Sequence, residues 1–173
     1  MILLVGLGNP TPDSNDNRHN VGFKIIDAIN TKFGLSKHKP KFKGLLTTGN
    51  ISNKKVYAIK PLTFMNNSGI CIRELIEYFK IDPENVIVFH DDLDVDFKKI
   101  KAKFGGSSAG HNGIESIDKF IGKDYARVRV GIGKPEKKNR SFRFCFNKFF
   151  RGRKRRIRKS YSKYNWVNAN FNW

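Results

Sequence analysis

The residue types best suited to chemistry stand at a few points in this chain: Asn9, Arg18-His19-Asn20, Asn66, His90-Asp91-Asp92-Leu93-Asp94 and His111-Asn112. Hydrolysis of an ester or amide needs a base for water, a group that orients the base, and neutral donors for the oxyanion. Histidine, aspartate and asparagine supply these in turn. There is no Gly-x-Ser-x-Gly elbow and no cysteine beside a plausible base, so a covalent nucleophile is not expected. Three other readings stand beside this one. His19, His90, Asp91, Asp94 and His111 could hold a hard cation in a metal-dependent phosphohydrolase. The chain could instead be a basic RNA-binding module without chemistry. The acidic run could also be no more than a solvated turn. By residue type alone, Asn66 and Asn112 read as helix caps, His19 as a cap or surface residue, and Phe64 and Met65 as packing.

These residues need elements to carry them. Val86-Ile-Val-Phe89 follows the turn signal Asp82-Pro-Glu-Asn85 and reads as a strand buried on both faces, with His90 and Asp91 at its carboxyl end. Open α/β sheets present their chemistry at such ends. Ile2 to Leu7 is a second buried strand. Its Gly6-x-Gly8 lacks a third glycine, meets Pro10 and opens no helix, which excludes a dinucleotide site. Val21, Ile25, Ile29 and Phe33 predict a helix stopped by Gly34. Leu45 to Ile51 and Val56 to Lys60 predict a hairpin through Ser52-Asn53-Lys54. Ile72, Leu75, Ile76 and Phe79 mark a second helix capped by Asn67 or Ser68. A basic strand, Lys99 to Phe104, leads into a glycine-rich loop, 105–113, which opens a helix carrying Ile114, Ile117 and Ile121. Arg127-Val-Arg-Val-Gly-Ile132 alternates, so Arg127 and Arg129 share one face of a strand. The pattern is α/β: a single domain with a mixed, mostly parallel twisted sheet flanked by helices.

Composition narrows the class. At 173 residues, 39% hydrophobic with 15 Phe, the chain can bury a real core and is not of disordered type. Met1 runs straight into a strand, so no secretory leader is expected, and two distant cysteines, Cys71 and Cys145, fit a reducing cytoplasm. The net charge is +19, and Arg140 to Trp173 holds 11 Lys and Arg without an acid, so +19 less 11 leaves +8 on residues 1–139. That excess favours a polyanionic partner.

Several blocks together resemble one family. Gly6-Leu-Gly-Asn-Pro10, Arg18-His-Asn-Val-Gly22, Thr63-Phe-Met-Asn66 with Ser68-Gly69, His90-Asp-Asp-Leu-Asp94 and Gly105-Gly-Ser-Ser-Ala-Gly-His-Asn-Gly113 are similar, in order and spacing, to bacterial-type peptidyl-tRNA hydrolase. Val130-Gly-Ile-Gly133 with Lys134-Pro135 extends the match. The resemblance covers residues 1–139 and implies cleavage of the ester joining a peptide to the 3′ end of tRNA. By matching position it implies His19 as the base and Asp91 as its orienter. It also implies a substrate cleft lined by Asn9, Ser14, Met65, Asn66 and Asn112, with tRNA phosphates gripped by Lys101, Lys103 and Arg129. It implies no metal and no cofactor, a cytoplasmic monomer with no membrane partner, and a structural role for Asp92 and Asp94. Ser14 stands where the family usually has Tyr, Thr11 and Ala109 where it has Gly, and Asp96 and Lys98 where it has Pro and Gly.

Residues 140–173 form a second unit in this reading, a basic tail. The chain is rich in Lys, Asn, Ile and Phe, whose codons are AT-rich. Back-translating Arg140 to Tyr164 with AGA for Arg and AAA for Lys, then dropping one nucleotide, gives a frame that opens Glu-Val-Leu-Asp-Phe-Val-Leu. It runs on as an acidic, apolar-periodic helix. The expectation is that the tail is read in a shifted frame, against the alternative of a genuine basic arm for nucleic acid.

Overall fold

In the computed structural model, residues 1–12 and 17–133 are described, and among them seven strands form one sheet. β1 (Ile2–Gly6) lies at its centre, between β4 (Lys54–Pro61) and β5 (Val86–Asp92), parallel to both. β7 (Ala126–Gly131) extends the parallel part beyond β5. The two flanks run antiparallel: β3 (Gly44–Ile51) and β2 (Lys39–Lys41) beyond β4, and β6 (Ile100–Phe104) outside β7. The order is β2-β3-β4-β1-β5-β7-β6. The mixed α/β sheet with flanking helices is as expected, but "mostly parallel" holds only for the four central strands. The hairpins at both edges make the antiparallel pairings as numerous as the parallel ones.

Alternation along the central strands feeds two cores. Leu3 and Val5, with Val86 and Val88, face a layer built from α2 (Ser68–Phe79) and α3 (Asn112–Ile121) through Ile72, Leu75, Ile114 and Ile117. Leu4, Ile87 and Phe89 face the opposite layer, α1 (Val21–Phe33), through Val21, Ile25, Ile26 and Ile29. Strands this apolar on both faces belong in the middle of a three-layer structure.

The local signals translate into geometry with few changes. Gly34 closes α1 at φ 61°, and Ser52 and Asn53 turn the β3–β4 hairpin at φ 48° and 64°, with Lys54 already in strand. The short edge strand β2 was not expected from the pattern. Neither Asn67 nor Ser68 caps α2 with its side chain; Ser68 Oγ instead donates back to Met65 O at 2.9 Å. Gly6 and Gly22 serve packing. A Cβ on Gly22 would collide with the backbone of Leu7, and one on Gly6 with the Gly22 carbonyl. The start of α1 can therefore lie directly on the carboxyl ends of β1 and β5.

Candidate active site

That close approach delivers His19. The turn Arg18–Asn20 precedes α1 and sits above the end of β5, where the strand continues three residues past Phe89 and holds His90 and Asp91 inside the protein. His19 Nδ1 and Asp91 Oδ1 are 2.8 Å apart, although 72 residues separate them in the chain. The aspartate side chain is 2% exposed and the histidine 14%. With Nδ1–H donated to the carboxylate, the basic lone pair of a neutral His19 is on Nε2.

Asn20 and Asn9 lock this turn to the end of β1. Asn20 Oδ1 accepts from the Asn9 amide at 2.8 Å, and Asn20 Nδ2 donates to the Asn9 carbonyl at 2.9 Å. The Asn9 side chain, also buried, accepts from the Met65 amide through Oδ1 at 3.1 Å, so its Nδ2 carries the donors that remain. Met65 itself is buried in the α2–α3 core, and its Sδ occupies the space a Cβ on Gly113 would need. Its side chain is packing, as residue type suggested, and it forms the floor that joins the Thr63–Ser68 loop to the start of α3. Its neighbours Asn66 and Asn112 are exposed. Phe64, expected to pack, is 63% exposed instead.

The glycine-rich loop brings a third imidazole. His111, not Asn112, caps α3, accepting from the amides of Gly113 and Ile114. Its Nε2 lies 2.9 Å from the same Asp91 Oδ1 that His19 reaches. Sequence reasoning grouped His111-Asn112 with His90-Asp91 as chemistry-bearing residues and set His111 in a possible cation site, but gave it no role toward Asp91. His90 donates Nδ1–H to the Asp91 carbonyl at 2.7 Å. Burial first, and then His111, push the His90 imidazole down to about 3, so it is held neutral. Burial raises the Asp91 carboxyl, but His111 and His19 outweigh it and hold the group below the ordinary carboxylate range.

The five-residue cation set is not assembled. Ligand atoms of His19, Asp91 and His111 lie within 4.8 Å of one another, but His90 and Asp94 do not join them among the described residues. The three that do meet are already hydrogen-bonded to each other. Asp92 is not in the ligand set: Arg129 Nε donates to its Oδ2 at 2.7 Å and the Asp94 amide to its Oδ1 at 2.8 Å. Burial raises its carboxyl, and the hydrogen bonds from Arg129 and the Asp94 amide, with the Arg129 charge, together more than reverse that.

On β6, Lys101 and Lys103 are exposed and lie in register opposite Arg129 and Arg127 on β7. The shared face of the two arginines is confirmed, but they are not equivalent. Arg127 is buried against Asp118 of α3, at 2.7 Å, and donates to the Ser107 carbonyl at 3.0 Å. Arg129 is three-quarters buried and compensated by Asp92. Ser14, Lys134, Pro135 and the tail 140–173 lie outside the described residues.

Comparison with known proteins places these features in context. The family described as peptidyl-tRNA hydrolase matches residues 3–168. The chain is 83% identical over 138 residues to a peptidyl-tRNA hydrolase of Pelagibacter ubique, covering 80% of this chain and 74% of that one. It is 51% identical over 136 residues to that of Ehrlichia canis, covering 79% and 70%. The crystal structure of peptidyl-tRNA hydrolase from Acinetobacter baumannii superposes with a TM-score of 0.87 at 34% identity, covering 94% of this chain and 83% of that chain.

Proposed function

The chain belongs to the peptidyl-tRNA hydrolase family, and from that membership we propose that it cleaves the ester between peptide and tRNA with a water activated by His19. The observation that carries the reading is the 2.8 Å pairing of His19 with a buried Asp91 at the carboxyl end of a central strand. His19 Nε2 takes a proton from water, and the hydroxide attacks the ester carbonyl. Asp91 holds the ring in the required tautomer and stabilises the imidazolium that forms. The carbonyl oxygen gathers negative charge, which neutral amide donors at the cleft stabilise; Asn9 Nδ2, Asn66 and Asn112 are the candidates. The ester C–O bond then breaks, and the imidazolium returns its proton to the 3′-oxygen of tRNA. One water is consumed, and a free peptide acid and a free tRNA hydroxyl are produced.

Around this centre, Ser14 belongs to the substrate-facing wall, buried Met65 supports that wall by holding the Asn9 side chain through its amide, and Lys101 and Lys103 supply the exposed charge for phosphates. Arg129 is a weaker candidate because its charge is already matched by Asp92. The catalytic unit in this reading is residues 1–139, acting as a cytoplasmic monomer on peptidyl-tRNA, without metal or other cofactor. No helix among the described residues is long and apolar enough to cross a membrane. The test is His19→Ala. Peptide release should fall by at least the 10²–10⁴-fold that a general base contributes, while tRNA binding changes less than twofold or so. Equal loss of binding and rate would refute the assignment, and activity lost on EDTA treatment would restore the metal reading.

A further inference from the structure

α3 begins on an imidazole. The first backbone N–H groups of a helix have no partner within it, and here two of them donate to His111 Nδ1, at 3.1 Å from Gly113 and 3.3 Å from Ile114. A nitrogen that accepts N–H groups holds a lone pair and no proton, so a neutral His111 carries its hydrogen on Nε2. That Nε2–H meets Asp91 Oδ1 at 2.9 Å, on the oxygen that also takes His19 Nδ1–H. The His111 side chain is 9% exposed, and its ring stands edge-on to His19 at 5.5 Å and to His90 at 4.9 Å.

Resting on the hydrolase reading above, the structure assigns His111 as a positioning residue: the start of α3 fixes its tautomer, and its Nε2–H holds Asp91 where that carboxylate orients His19. The chain of cause runs from backbone to base. A helix terminus cannot rotate as a side chain can, so the donor it sets is aimed before substrate arrives. The same device ties the glycine-rich loop to the catalytic pair. The His111 amide donates to Ser108 O at 3.0 Å, and Ser107 O takes the buried Arg127 guanidinium, which is itself anchored on Asp118. Displacing the loop therefore displaces the orienter of the base as well as Asn112. The titratable neighbours are Asp91 and His90 on β5, His19 on the turn before α1, and Glu115 on α3. The Met65–Asn67 turn, which packs against α3, brings no charge.

Two variants separate the cap from the contact with Asp91 in the full 173-residue chain. Asparagine caps helices well but is too short to reach Asp91, whereas His111→Ala loses both. His111→Asn should keep a melting temperature near that of the parent and lose kcat by about 10–100-fold, as a misplaced catalytic group does. KM for peptidyl-tRNA should stay within about twofold. His111→Ala should show the same loss of kcat with a lowered melting temperature. If His111→Asn is as active as the parent while His19→Ala is dead, His111 is a cap only and the proposal falls. If His19→Ala remains active, the assignment of His19 as the base has failed. Nitrogen-resolved imidazole NMR of the parent then still decides the matter, expecting His111 protonated on Nε2 and bare on Nδ1. A proton on Nδ1 of His111, or a His19 Nδ1–H signal unmoved in His111→Asn, overturns it.

Discussion

At Asp91, burial and charge pull in opposite directions, and the two imidazoles prevail. Removing its charge while keeping its shape reverses the hydrogen-bond pattern toward His19. Asp91→Asn should therefore lower kcat by up to about 10⁴-fold through the wrong tautomer. Asp92→Asn, which only loosens the contact with Arg129, should cost little rate. Similar losses of kcat in the two variants would break the pairing of His19 with Asp91. His90 makes a separate prediction about stability. Its folded value, about 3, lies below the ordinary 6.5, so as pH falls the unfolded chain binds this proton first. Its contribution is constant above about pH 6.5, and stability should then drain away between pH 6.5 and 3. The Asp91 loss sets in lower, because a depressed carboxyl contributes stability that vanishes only below about 4. Thermal melts from pH 7 to 4 should fall less steeply for His90→Gln than for the parent, and parallel curves would refute the buried neutral His90.

Among the elements, the glycine-rich loop carries backbone strain with a measurable cost. Ala109 has φ 48°, between Ser107 and Gly110 in the turn that presents His111. A left-handed residue with a Cβ is strained by about 1–2 kcal/mol. Ala109→Gly relieves this but frees the unfolded chain, leaving a gain of about 1 kcal/mol. Chemical denaturation should register it as a higher midpoint with an unchanged slope. The opposite change at α2 should be costly. A Cβ on Gly69 would collide with the Ser116 carbonyl where α2 crosses α3, so Gly69→Ala should destabilise by about 1–3 kcal/mol. The β6 edge carries its own test. Lys101→Ala with Lys103→Ala should weaken tRNA binding and flatten log K against log salt by up to about 0.9 per lysine lost. An unchanged slope would take these lysines out of the interface.

For the molecule as a whole, the uneven charge is the feature with the widest consequence. The expected boundary at residue 139 sets a body of +8 against a tail of 11 cations, and the tail lies outside the described residues. Reading the tail as a shifted frame makes the charge, Cys145 and any RNA affinity of residues 140–173 products of the frame. The measurement is a peptide mass spectrum of the native protein, together with the nucleotide sequence around codons 137–141. The frameshift predicts the acidic peptides that open Glu-Val-Leu-Asp-Phe. Peptides matching Arg140 to Trp173 over a clean reading frame would refute it.

The central strands, the three helices and the Gly34 stop were legible in the sequence because burial imposes a period of two or 3.6 along the chain itself. The His19–Asp91 assignment came from a resemblance, since no pattern of spacing predicts contact across 72 residues. Three features depended on packing alone. Gly6, excluded with Gly8 as a nucleotide motif, shows its packing role against Gly22 only once α1 is laid on β1. His111 looks like a helix neighbour of Asn112 until the end of β5 supplies its acceptor. Arg127 and Arg129 alternate identically, yet one is buried against Asp118 and the other half-shielded by Asp92. Local sequence carries each residue's periodicity and propensity. Which polar groups share a carboxylate is decided by elements far apart in the chain, and only the assembled sheet brings their ends together.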